Sequence, residues 1–203
     1  MPPRAKVTKG MIVEAGFEVA RAEGAEALNA RRVAAALGCS TQPVMSHFAT
    51  MDALRQAVYA RADDYHSEYL TRPEPCDNPL TAIGLRYVRF GAEEPKLFRL
   101  LFQSNQFARM DVATLVDSSG ETLAPVYAAL QAEAGCDMAT CRDIFTQLFI
   151  TAHGLASLLA NNAMAFDPEF CARLLGRAFE GAMAEVQKEQ SVYLPKQSER
   201  SHP

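Results

Sequence analysis

Residues 33–48 read VAAALGCSTQPVMSHF, and this stretch decides the fold. Val33, Ala34 and Leu37 recur at helical spacing and share one apolar face of a short helix. Gly38 suits the left-handed position just past a helix end. Ser40 is placed to cap a second helix by accepting a bond from a first-turn amide. Pro43, counted from that cap, lies in the first turn, where its missing N–H has no intrahelical partner to lose. Val44 and Phe48 fall four apart and point inward. Thr41, Gln42, Met45 and Ser46 are left facing out. A short helix that starts with small hydrogen-bonding side chains is what a DNA major groove admits.

Together with ARRVAA at residues 30–35, the segment resembles the helix-turn-helix of the TetR/AcrR family of bacterial transcriptional repressors. Asn29 matches that family's cap, Val33-Ala34 its apolar pair, Gly38-Cys39-Ser40 its turn, and His47-Phe48 the end of its second helix. Gln42 and Pro43 match positions that face DNA in some members. Met45 stands where a phosphate-contacting Tyr is usual, and Met51 where a Lys is frequent. The resemblance implies an all-α protein of about nine helices, in which a three-helix DNA-binding head precedes a helical ligand-binding and dimerisation domain.

Composition agrees with a helical chain. Ala, Leu, Glu, Arg and Met are plentiful, Trp is absent, and all 203 residues contain no run of 18 apolar ones. The start, MPPRAKVTKG, lacks the apolar core of a signal peptide. No membrane partner and a cytoplasmic setting are therefore expected. The net charge of −4 alone argues against nucleic acid. Its distribution argues otherwise: residues 1–50 hold six Lys/Arg against four Glu, net +2, leaving −6 for the remainder. A mildly basic head on an acidic body fits a DNA binder whose larger part has another task.

Taken in order, residues 1–50 form the predicted DNA-binding domain, with a basic arm over residues 1–9 carrying Arg4 and Lys6. The arm either follows phosphates or a minor groove or is a solvated tail. The first helix spans 8–23, with Ile12, Ala15, Gly16, Val19 and Ala20 inward and small residues packing lightly around Gly16. Gly24 ends it. Asn29 caps the next helix, whose first turn carries Arg31 and Arg32. Cations are unfavourable there, so they either have an outside partner such as phosphate or are ordinary solvated charges. Thr50 caps a connecting helix over 51–70, with Leu54, Val58, Ala62 and Tyr65 on one stripe. TRPEPCDN, 71–78, is the linker. The effector-binding and dimerisation domain follows over 79–188. Its helices start at Asn78-Pro79, at Pro95, at Asp111 (interrupted near Pro125), at Asp137 (running to about Asn162) and at Asp167-Pro168. The last ends near Lys188, residues 103–110 read as a loop, and the polar tail 189–203 is expected to be disordered.

Catalytic and metal constellations are missing. His47, His66, His153 and His202 are scattered, and there is no HExxH, Gly-rich phosphate loop or GxSxG. Five Cys form no CxxC; a pair such as Cys136 and Cys141 is the redox alternative to ordinary thiols. No cofactor is expected. PKLFRLLF (95–102) and ITAHGLASLL (150–159) also resemble the effector domains of one TetR branch, where His153-Gly154 matches a His-Gly pair. Phe90, Phe98, Leu101, Phe102, Phe107, Met110, Phe145 and Phe149 are either core or the lining of an apolar ligand cavity; His153 would add a polar contact to that cavity or, the stronger reading, is a satisfied core histidine. Leu148, Leu155, Leu158, Leu159, Leu174, Leu175, Ala178, Phe179, Ala182 and Val186 stripe the last two long helices. The family pairs these two helices with their copies in a four-helix dimer interface; Gly154, Gly176 and Gly181 would permit close approach.

The reading is therefore a homodimeric repressor released from its operator by a small apolar or amphipathic effector. Its partner is double-stranded DNA with a pseudo-palindromic operator. Thr41, Gln42 and Ser46 would meet bases, with Pro43 and Met45 on the same surface. Arg31, Arg32, His47, Arg4 and Lys6 would meet phosphates. The alternatives are a helical protein-interaction module or a small helical enzyme without DNA binding.

Overall fold

Six helix starts along this chain, at Thr8, Asn29, Thr50, Asn78, Asp137 and Asp167, are set by side chains that satisfy orphan first-turn amides. The computed structural model describes residues 7–76, 78–104 and 120–193. Thr8 accepts from the Met11 amide at 3.3 Å and starts α1, Lys9–Glu23. Gly24, at φ 102°, closes it, and a 3-10 turn, Ala25–Ala27, follows. Asn29 Oδ1 accepts from both the Arg31 and Arg32 amides at 3.1 Å, starting α2, Ala30–Ala36. Gly38 takes φ 62° in the turn to α3, Thr41–His47. Thr50 accepts from the Ala53 amide and starts α4, Met51–Leu70. Asn78 Oδ1 accepts from Leu80 and Thr81 at the head of α5, Pro79–Glu93. Then come α6, Pro95–Phe102, α7, Gly120–Ala134, α8, Met138–Ala160, and α9, Pro168–Tyr193. Asp137 and Asp167 cap α8 and α9 as expected. The chain is all-α among the described residues, with nine α-helices.

Several expectations need correction. Ser40 sits at the N-cap of α3 with extended backbone, but its hydroxyl caps no amide. A capping side chain reaches the second or third amide of its helix. The third residue here is Pro43, which has none. Helix α7 is not interrupted near Pro125. The proline deletes one intrahelical donor, and burial of the adjoining Val126, Tyr127 and Leu130 holds the helix through it. Helix α8 stops at Ala160 because Asn162 adopts φ 56°. The Ala163 amide bonds back to the Leu158 carbonyl and that of Asn162 to Leu159, the pattern of a Schellman end with Asn in place of Gly. Helix α9 runs past Lys188 to Tyr193, since no proline occurs before Pro195. Asp111 and positions 105–110 of the predicted loop lie outside the described residues. By length and composition α8 is apolar enough to cross a membrane, as core helices can be, and a third of the window meeting that test is buried within the chain.

The described residues fall into two compact units that interleave along the sequence. The first holds 7–73, 86–104 and 156–166. Ile12, Phe17, Val33, Val44, Leu54 and Val58 are buried there. Packing around Gly16 is tight, not light: a Cβ on Gly16 would sit 2.7 Å from Val58 Cγ2, so the glycine leaves room for the Val58 side chain of α4 against α1. The second unit holds 74–85, 120–155 and 167–193. Its core joins Leu80, Leu130, Cys141, Ile144, Phe179 and Val186.

Candidate functional site

The outer surface of α3 is built by anchoring its inner one. Val44 is fully buried and Phe48 nearly so, while Thr41, Gln42, Met45, Ser46 and His47 are exposed and Pro43 is half-buried. The Ser46 hydroxyl donates to the Pro43 carbonyl at 2.9 Å. Its proton is therefore spent locally, and its lone pairs remain for an outside donor. His47 Nε2 donates to the Val7 carbonyl at 3.1 Å, tying the last turn of α3 to the segment before α1. Lys9 Nζ lies 5.3 Å over the Phe48 ring. Arg4 and Lys6 lie outside the described residues.

The two arginines of α2 differ. Arg32 pairs with Glu23 Oε2 at 3.2 Å, so part of its charge already has a partner inside the chain. Arg31 is exposed and has no ion pair among the described residues. Met51, half-buried at the first position of α4, offers no charge.

The far end of α1 meets an ionic junction. Arg21 Nε donates to Glu94 Oε2 at 2.9 Å, and its Nη2 reaches both Glu94 Oε1 and the Tyr65 hydroxyl. Tyr65 itself donates to Glu94 at 3.0 Å. The Glu94 bond raises the Arg21 guanidinium above its ordinary value. Lys96 Nζ donates to the Ala22 carbonyl. α1, α4 and the α5–α6 corner are thus joined by charge-assisted bonds.

One residue further along α4 lies His66, 8% exposed, its Nε2 buried with no hydrogen-bond partner among the described residues. Tyr87, Phe90 and Phe102 pack edge-on to its ring at 5.6, 4.8 and 5.1 Å. Burial pushes the imidazole down to about 4, so it is neutral at pH 7. Phe98 packs tilted against Phe102 at 5.0 Å, and Leu101 is buried beside them in sequence. Of the predicted lining, Phe90, Phe98, Leu101 and Phe102 therefore belong to this first unit. Phe145, Phe149 and His153 belong to the second, where Phe145 lies 5.5 Å from Tyr127, and Phe149 lies 6.3 Å from Phe145 and 5.6 Å from His153. Burial lowers the His153 imidazole as well. Phe107 and Met110 lie outside the described residues.

A sequence model described as the tetracyclin repressor-like C-terminal domain matches residues 80–181. The chain belongs to the tetracyclin repressor-like family. Members are non-enzymatic regulators of transcription that bind DNA. Among solved structures, a protein described as a transcriptional regulator from Pseudomonas aeruginosa PAO1 shares 18% identity at a TM-score of 0.64, over 89% of this chain and 92% of its own. A TetR-like transcriptional regulator from Rhodococcus sp. RHA1 shares 19% at 0.60, over 91% and 99%. The multidrug binding protein EbrR, solved with imidazole, shares 21% at 0.53, over 88% and 97%. At these identities the likeness is one of fold. No curated protein matches the sequence.

In this tetracyclin repressor-like regulator the apolar stripes of α8 and α9 split by burial. Leu155, Leu159, Leu175, Phe179, Ala182 and Val186 are buried within the single chain, and Leu148, Leu174 and Ala178 are half-buried. Leu158 is 49% exposed; Ile150, unremarked in the sequence, is 56% exposed. Gly154 lies midway between them on α8, with nothing within 4 Å of an added Cβ, and Gly176 and Gly181 are equally open. His66 is the other side chain that sequence reasoning passed over. Its signal was present: Leu54, Val58, Ala62 and His66 recur at intervals of four.

Proposed function

We propose that this regulator is a cytoplasmic homodimeric repressor released from a pseudo-palindromic operator by a small apolar molecule. Residues 1–50 bind DNA, 51–70 connect, and 79–188 sense the effector and dimerise. The observation that carries the reading is α3: a seven-residue helix pinned by Val44 that exposes Thr41, Gln42, Met45, Ser46 and His47 together. Two such helices enter half-sites about one helical turn, or a multiple, apart. Gln42 and Thr41 read base edges, and Ser46 accepts from a base amino group. Arg31 meets phosphate. Arg32 does so only by leaving Glu23.

Two binding measurements test this. Gln42→Ala should lower operator affinity by about 1–3 kcal/mol while leaving affinity for random duplex nearly unchanged; equal loss on both duplexes would count against base readout. Arg31→Ala should reduce the slope of log K against log salt by about 0.9 for each phosphate contact removed. Arg32→Ala should reduce it less. Equal slopes for wild type and Arg31→Ala would remove this arginine from the interface.

Dimerisation is supported by the exposed stripe Ile150, Gly154, Leu158 on α8 and, separately, by Leu174 and Ala178 of α9, which retain some exposure. On the effector side, an unpaired buried imidazole nitrogen costs about 1–3 kcal/mol. A ligand with an apolar body and one neutral hydrogen-bonding group recovers that at His66 among Tyr87, Phe90 and Phe102. Tyr65, the neighbour of His66 on α4, carries any displacement to Arg21 and hence to α1. A ligand that favours the displaced arrangement lowers operator affinity by its differential binding.

A further inference from the structure

The entrance of α8 holds two thiols face to face. Cys136 Sγ and Cys141 Sγ lie 3.2 Å apart. Gly135, at φ 60°, ends α7 with its amide on the Gln131 carbonyl at 2.9 Å. Asp137 Oδ1 accepts from the Thr140 amide at 2.9 Å and caps α8. Cys136 thus precedes the cap and Cys141 is the fourth helical residue, the two positions whose side chains meet in a hydrophobic staple. Apolar side chains ordinarily fill both. Here Cys141 is fully buried with Leu130, Ile144 and Val186, and Cys136 is half-buried. Cys39 and Cys76 are also half-buried and Cys171 is buried, but none has a second sulfur in hydrogen-bonding range among the described residues.

We propose that Cys136 and Cys141 form an oxidisable dithiol site, which a peroxide closes into a disulfide across the start of α8. This assignment stands apart from the operator and effector reading. Burial pushes the Cys141 thiol up to about 12, so Cys136 is the sulfur that meets the oxidant. Its thiolate attacks one peroxide oxygen, and the O–O bond breaks. Hydroxide leaves and takes up the proton lost by Cys136, giving a sulfenic acid and water. The Cys141 sulfur then attacks Cys136 Sγ. The S–O bond breaks, and the departing hydroxide takes the Cys141 proton as a second water. Two thiols lose two electrons and two protons; one peroxide becomes two waters. The sulfurs must close to about 2.05 Å. Cys136 lies in the connection between α7 and α8, outside either helix, and is only half-buried.

The test uses the full folded chain, a small excess of hydrogen peroxide, removal of the peroxide, alkylation of the remaining thiols after unfolding in denaturant, and mass spectrometry. Trypsin leaves both cysteines in one fragment, residues 110–142. The expected result is a fall from five alkylatable thiols to three, with that fragment lighter by two hydrogens and reduction restoring both thiols. Cys136→Ser, at a half-buried position, should leave the Cys141 thiol intact under the same treatment. The proposal is overturned if both thiols stay alkylatable in the wild type, if the fragment gains oxygen instead of losing hydrogen, if the disulfide joins two copies, or if Cys141 is consumed equally in Cys136→Ser.

Discussion

Acidification from pH 7 to pH 4 should remove about 3 kcal/mol of folding stability through His66 alone. Its folded imidazole titrates at about 4, with burial as the cause, whereas an exposed histidine titrates at about 6.5. Between those values the unfolded chain binds a proton that the folded chain refuses, so stability falls as pH falls. The loss begins as pH drops through about 6.5 and is complete below about 4. His66→Phe keeps an aromatic ring among Tyr87, Phe90 and Phe102 and removes the titration. Urea unfolding of both proteins at successive pH values isolates the difference, because carboxylates and the half-buried His153 are common to the two. Wild-type stability should fall more steeply by up to about 1.4 kcal/mol per pH unit; parallel curves would show that the ring reaches solvent when it charges.

Gly91→Ala should destabilise the protein by about 2 kcal/mol, against the usual sign for a helix interior. In α5 the change gains about 1 kcal/mol of helix propensity. The new methyl, however, would lie 2.7 Å from the Ala156 carbonyl oxygen and 2.9 Å from Ala156 Cα and Cβ. The obstacle is main chain, which cannot swing aside as a side-chain tip can. Overpacking of this kind costs about 1–3 kcal/mol, occasionally more, and the upper end applies here. Gly154→Ala is the control: nothing lies within 4 Å of its added Cβ, so the unpaired chain should gain stability. A lowered midpoint in denaturant for Gly91→Ala and a raised one for Gly154→Ala at low protein concentration is the expected pair. A stabilised Gly91→Ala would mean that α5 and α8 separate freely at that crossing.

How far the sequence could be read depended on how local each signal was. Thr8, Asn29, Thr50, Asn78, Asp137 and Asp167 announce helix starts because a cap acts on amides two or three residues away. Gly24 and Gly38 announce ends for an equally local reason. The all-α architecture and the exposed surface of α3 followed from such marks. Ser40 was misread although the answer lay three residues on, in a proline with no amide to offer. The aromatic set could not be partitioned, since nothing near Phe90 or Phe145 says which unit will hold it. On α8, Leu155 and Leu159 fall on the core face and Gly154 and Leu158 on the open one. Periodicity detects both apolar stripes and cannot tell which already has a partner.

The interleaving of the two units limits how the first unit, with the proposed DNA-binding segment in it, can be transplanted. A hybrid regulator that borrows residues 1–73 alone would inherit Arg21 without Glu94, and Ala22 without the lysine that holds its carbonyl. A working graft must also carry residues 86–104 and 156–166, so the first unit cannot be lifted out as one continuous stretch of sequence.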